Sequence, residues 1–137
     1  MKKNKMTVAV EKDADGSYIA YNIDDSDYTL IGRGDCSSKA KADFEKSMQE
    51  VAESEKQRTG RVPDMLLQKP TYKFDLASLF EYYSMLNVSA FARFVGINSA
   101  LMRQYKQGNT YISDKQLIKI EEGIHRLGEE FTSLKLV

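Results

Sequence analysis

Residues 96–108 read GINSALMRQYKQG, a stretch with a glycine at each end. Asn98 has a side-chain oxygen suited to capping the first N–H groups of a helix. Gly108 suits the left-handed residue that closes one. Met102 and Tyr105 stand three apart and so share a face, with Arg103, Gln104 and Lys106 around them. The spacing predicts a short, positive helix over 99–107, held between two turns. Ile97, just before the cap, is expected to be buried.

The neighbouring stretches are helical too. Upstream, Asp75 is a candidate cap for a helix with Leu76, Leu79, Phe80 and Tyr83 on one face, ending near Asn87. Ser89 is expected to cap a second helix, Ala90 to Val95, which Gly96 stops. Ala92, four residues before Gly96, is small enough to let that helix cross the next one closely. Downstream, residues 109–113 (NTYIS) form a connector, and Ser113 caps a long last helix reaching about Leu134. Ile112, Leu117, Ile120, Ile124, Leu127 and Phe131 make its apolar stripe.

The first half reads differently. Thr7, Val8 and Val10, then Tyr18, Ile19, Tyr21 and Ile23, favour strands. Asp13-Ala14-Asp15-Gly16 between them is a hairpin turn. A third strand, Tyr28 to Gly32, follows the acidic turn Asp24-Asp25-Ser26-Asp27. Ser37 or Ser38 is expected to cap a helix running to about Arg58, with Ala40, Phe44, Met48 and Val51 on its buried face and Gly60 as its stop. Both prolines lie in residues 59–74, and Thr71 to Phe74 suit an edge strand. The expected fold class is α+β: a three- to four-stranded antiparallel sheet with a helix over residues 1–69, then an all-α unit over 70–137.

Bulk properties narrow the function. The chain has 137 residues, 42% of them hydrophobic, which suffices for one domain or two small ones. Its one cysteine, Cys36, and one histidine, His125, provide neither a disulfide nor a cysteine–histidine zinc set; no metal or cofactor is expected. The N-terminal apolar stretch is too short for a signal peptide. The longest charge-free run, Tyr82 to Ala92, is well below the ~20 residues of a membrane span. A soluble, cytoplasmic protein is expected.

Net charge is zero but unevenly placed. From Glu11 to Glu55 twelve acids face five bases, a net of −7. From Asn87 to Lys119 five bases (Arg93, Arg103, Lys106, Lys115 and Lys119) face Asp114 alone, a net of +4. The first segment repels nucleic acid and attracts basic proteins. The second suits phosphates.

The pattern Ala92, Gly96, Ile97, Met102, Tyr105, Gly108 resembles the helix-turn-helix of the Cro and lambda-repressor family. That resemblance implies that residues 99–107 enter a major groove of double-stranded operator DNA. The implied DNA-binding residues are Asn98, Ser99, Ala100, Arg103, Gln104, Lys106, Asn109 and Thr110. Arg103 would pair with guanine and Gln104 with adenine, and Lys106, Asn109 and Thr110 would meet phosphates. A dimer is expected, since one such motif is a small interface; the last helix, with Leu127 and Phe131, and the tail Leu134-Lys-Leu-Val137 are its candidate surface.

Glu11, Asp13, Asp15, Gly16, Tyr18, Gly32, Gly34, Ala40 and Ala42 resemble the N-terminal domain of HicB-type antitoxins. The resemblance implies a partial RNase H-like fold, and an antitoxin-like repressor whose first domain holds a small basic HicA-type mRNA interferase. The chain lacks the proline usual in that family after the second strand.

Two other readings stand beside this one. A nuclease would use Asp13, Asp15, Asp24, Asp25 and Asp27 with a divalent metal, but these acids fall in turns, where Asp serves turn geometry. An enzyme is therefore not expected. A regulator whose N-terminal domain senses a small molecule, through a pocket lined by tyrosines, is the main alternative. Gly32-x-Gly34 lacks the third glycine of a dinucleotide site.

Overall fold

A computed structural model describes residues 6–24 and 27–137. Asp25 and Ser26 of the second acidic turn, and the first five residues, lie outside that range.

Strands β1 (Thr7–Lys12), β2 (Tyr18–Asn22) and β3 (Ile31–Gly34) form an antiparallel meander. Its first turn is closed by Gly16 at φ 90°. Helix α1 (Ser37–Thr59) crosses one face, and Gly60 ends it in the left-handed conformation. After a 3-10 turn at Asp64–Leu67, β4 (Thr71–Asp75) joins the other side of β1, so the order is β3-β2-β1-β4. β4 runs parallel to β1, which corrects the expected all-antiparallel sheet to a mixed one. The reason is the return path: α1 carries the chain back so that β4 enters beside the start of β1, with Thr71 N–H donating to the Met6 carbonyl at 2.8 Å. This strand lies beyond residue 69, in the stretch assigned from sequence to the helical unit.

The third strand begins later than expected, at Ile31. Upstream of it the Asn22 amide replaces the ladder, donating to the Tyr28 carbonyl and accepting from Leu30 N–H, both at 2.9 Å. Cys36, not Ser37 or Ser38, is the N-cap of α1, and its side chain makes no capping bond. Gly32 and Gly34 have a packing role. A Cβ on Gly32 would overlap the backbone of Ala40 and Phe44, so α1 lies directly on β3 only because that side chain is missing.

Met6, Val8, Val10, Ala20, Ala40, Phe44 and Met48 fill the space between sheet and α1. A second core belongs to α2 (Leu76–Tyr82), α3 (Val88–Val95), α4 (Ser99–Gln107) and α5 (Asp114–Ser133). It holds Leu76, Phe80, Phe91, Met102, Ile112 and Ile120. Phe74 packs against both cores. Lys12 pins the junction: its N–H donates to Ser78 Oγ at 2.9 Å and its ammonium to the Gly16 carbonyl at 2.7 Å. The same ammonium lies 4.5, 4.6 and 5.5 Å from the ring centres of Tyr18, Tyr82 and Tyr83. No described helix is long and apolar enough to cross a membrane.

Candidate nucleic-acid interface

Each end of α4 is set by its sequence. Asn98 Oδ1 accepts from Ala100 N–H at 2.8 Å and Leu101 N–H at 3.2 Å. At the other end Gly108 is left-handed, with φ 75°. Upstream, Gly96 takes φ 80°, allowing a tight turn into Ile97, which is buried. Met102 and Tyr105 are buried in the helical core, so the outward orientation of α4 is fixed by its inward one.

With 3.6 residues per turn, Ala100, Arg103, Gln104 and Gln107 form one stripe opposite Met102 and Tyr105. All four are exposed. Lys106 is exposed on the flank, and Ser99 is half-buried beside it. Asn98 is exposed, but its side-chain oxygen is committed to the cap. Asn109 and Thr110 are exposed in the following connector. There the Asn109 amide donates to Gln107 Oε1 at 3.0 Å, and its backbone N–H to the Gln104 carbonyl at 3.1 Å. The predicted residues thus fall into three groups: Ala100, Arg103 and Gln104 share the outward stripe, Ser99 and Lys106 lie on its flank, and Asn98, Asn109 and Thr110 sit at the helix ends.

Gln107 belongs to the stripe but was not among the expected contacts, because base reading is expected of the N-terminal residues of such a helix. Its signal was present in the spacing, four residues beyond Arg103. Asn87 was also missed. It is the N-cap of α3, its Oδ1 accepting from Ala90 N–H at 2.9 Å, which corrects the expected cap at Ser89. Helix α2 ends at Tyr82 and not near Asn87, with Tyr83 leaving the helical conformation as its C-cap. Asn87 and Ser89 line an open hollow of about 540 Å³ together with Arg103, Lys106 and Gln107. The start of α3 therefore faces two cations of α4 across a space that an anion can enter.

Arg93, Arg103, Lys106, Lys115 and Lys119 are all exposed. Among the described residues none of the five makes an ion pair; those present join Arg33 to Asp13, Lys39 to Asp35 and Arg58 to Glu55. Their charge is available to an outside anion.

Of the turn acids of the first unit, Asp13 and Asp15 are engaged locally, whereas both carboxylate oxygens of Asp24 are buried without a hydrogen-bond partner among the described residues. Asp13 pairs with Arg33 at 3.1 Å, and Asp15 accepts from Ser17 N–H and Oγ at 2.8 and 2.6 Å. These Ser17 bonds hold the Asp15 carboxyl below its usual value. Among the described residues no group of three His, Cys, Asp or Glu side chains is arranged to hold a metal ion. Hydrogen bonding with Ser38, 3.2 Å away, lowers the Cys36 thiol, and His125 is exposed on α5.

Comparison with protein-family models, with curated proteins and with solved structures yields no match.

Proposed function

We propose that the chain is a non-catalytic, cytoplasmic, antitoxin-like transcriptional regulator. In this reading α3 and α4 act as a helix-turn-helix on operator DNA, and the α+β unit, read as partial RNase H-like, holds a small basic HicA-type toxin. The observation that carries the DNA-binding half is the exposed stripe Ala100–Arg103–Gln104–Gln107. It stands on a helix capped at both ends, backed by buried Met102 and Tyr105, among five exposed, unpaired cations. A groove-reading helix needs small and hydrogen-bonding side chains on its outer face, cations on its flanks and a rigid support. The resemblances to Cro-type and HicB-type sequences favour the same reading.

Dimerisation through α5 is part of it. Phe131 and Leu134 are 65% and 61% exposed, continuing a stripe whose earlier members, Leu117 and Ile120, pack in the core. Paired half-sites then supply the contact area that one motif lacks.

The test is a gel shift of the purified protein on the DNA upstream of its own gene, across salt. Wild type should bind tightly and salt-sensitively. Arg103→Ala should weaken binding by about 1–3 kcal/mol, roughly 5- to 150-fold, and Lys106→Ala should lower the log–log salt slope by about 1. Absence of binding at low salt would sink the recognition-helix reading. Thermal stabilisation by a metabolite panel, with no basic protein partner, would favour the small-molecule-sensing alternative.

A further inference from the structure

Helix α1 covers one face of the sheet; the other face is partly open, with Ala9 buried, Ile19 and Tyr21 half-buried and Ile31 exposed. In the strand register Tyr21 lies between Ala9 and Ile31, and Ile19 between Glu11 and Arg33. These residues alternate with the core-facing set Val8, Val10, Ala20 and Gly32, so they point away from α1. Ile31 is 44% exposed and Ile23, just beyond β2, 42%. Large exposed aliphatic side chains on a partly uncovered sheet are a feature of interaction surfaces.

The apolar patch has an acidic border. Glu11 and Asp75 are register neighbours on β1 and β4, and with Glu81 of α2 they line a hollow of about 630 Å³. Asp13 also lines it but is paired with Arg33. The ammonium of Lys12, the hollow's one cation, is drawn into its tyrosine cage and the Gly16 carbonyl. Among the described residues Glu11, Asp75 and Glu81 have no ion-pair partner, although Asp75 Oδ1 also accepts from Ala77 N–H at 3.1 Å as the cap of α2. Burial, together with the neighbouring Asp75 carboxylate, pushes the Glu11 carboxyl above its usual value, despite the Tyr21 hydroxyl donating to it at 3.2 Å. A cation brought to this spot relieves that repulsion.

We infer that the open face, with Ile19, Tyr21 and Ile31 as apolar anchors and Glu11, Asp75 and Glu81 as an acidic border, docks a small basic protein. Charge complementarity selects this occupant. Nucleic acid meets three carboxylates here against one exposed, unpaired cation of the same face among the described residues, Lys73 of β4. A second copy docking face to face brings two sets of unpaired carboxylates together. A partner with an apolar patch beside lysines or arginines satisfies both parts of the surface. Burial and the Glu11 carboxylate, with a smaller contribution from Tyr111, push the Tyr21 hydroxyl up to about 12. The inference rests on the partner-binding half of the proposed function and assigns it a surface.

The experiment places p-benzoylphenylalanine at Ile31, or at Glu53 on the exposed side of α1 as a control, in the full chain expressed in its native cells. After irradiation the adducts are identified by mass, and the captured partner is purified and titrated against wild type, Ile31→Asp and Glu81→Lys, each checked for folding by circular dichroism. The expected result is a basic protein cross-linked from position 31 and not from 53. Its affinity should fall about 10-fold or more in both variants, and weaken with salt. Capture of a basic partner from position 53 alone would overturn the surface and leave the partner-binding reading standing. A self-adduct, an acidic partner, unchanged affinity in the variants or no adduct at position 31 would also overturn the inference, and no adduct at either position would take the partner-binding reading with it.

Discussion

The outer face of α4 and the open face of the sheet are both exposed, but they are built from opposite materials. The α4 stripe holds no large apolar side chain; its members are Ala100, Arg103, Gln104 and Gln107, with Lys106 beside them. The sheet face presents Ile31 and Ile23, with Glu11 and Asp75 at its border. A phosphate-rich partner gains nothing from burying isoleucine, and a basic protein gains nothing from Arg103. A chain with zero net charge can therefore carry two selective surfaces, because a charge acts over about 10 Å at moderate salt, not over the whole molecule.

Both units that carry these faces contain a close-packed glycine, Gly32 against the α1 backbone and Gly123 of α5 against the Val95 side chain, and a contrasting pair of glycines tests what such contact is worth. Gly32 touches the α1 backbone, whereas a Cβ on Gly128 of α5 would meet nothing within 4 Å. Gly32→Ala must push α1 off the sheet; overpacking of this kind costs about 1–3 kcal/mol or more, and a fall in melting temperature on the order of 10 °C is expected. Gly128→Ala should be neutral or stabilise by up to about 1 kcal/mol through helix propensity. Scanning calorimetry of the two variants checks this; equal effects would mean that contact with the α1 backbone does not set the cost at Gly32.

This difference also accounts for what could be read in the sequence. The bounds of α4 were legible because local chemistry sets them: an asparagine cap at one end and a left-handed glycine at the other. The same holds for Gly16, Gly60 and Gly96. The direction of β4 was not legible, since no residue within TYKFD encodes parallel or antiparallel pairing; the route through α1 decides it. The start of β3 was missed because a side chain, Asn22, replaces backbone pairing from eight residues away. The packing role of Gly32 depends on contact with Ala40 and Phe44, which no local pattern reports. On the candidate site the helix and its outward cations were legible. Gln107, and the hollow joining α4 to the start of α3, required the helices to be placed against each other.

A change on α5 sharpens the comparison by asking whether the basic surface works in pairs. Phe131→Glu alters a side chain that is 65% exposed, so the fold should be retained. Leu127 packs partly against the helical core and would confound folding with assembly. Phe131→Glu should yield monomers by light scattering and lose much of the affinity for operator DNA, because each half-site then binds alone. Binding at the sheet face should be untouched. An unchanged mass in solution would remove α5 as the dimer surface.

The smallest expected effect lies on the acidic side, at Glu11. Burial and the Asp75 carboxylate raise its carboxyl in the folded chain above the ordinary value of 4.5. The folded state therefore holds this proton more tightly than the unfolded one, and the associated stability is present below that ordinary value and lost as pH rises through the folded value. At neutral pH the ionised group is a local liability. Glu11→Gln, which keeps an acceptor for the Tyr21 hydroxyl, should raise the melting temperature slightly at pH 7 and leave it unchanged near about pH 3, where both side chains are neutral. A lower melting temperature at pH 7 would show that Glu11 is well compensated in the free chain. If a partner's cation docks beside it, the same substitution must weaken the complex while stabilising the free protein. Opposite signs from one uncharged replacement distinguish a binding surface from a merely solvated one, because solvation alone leaves no reason for the carboxylate to be kept where it costs stability.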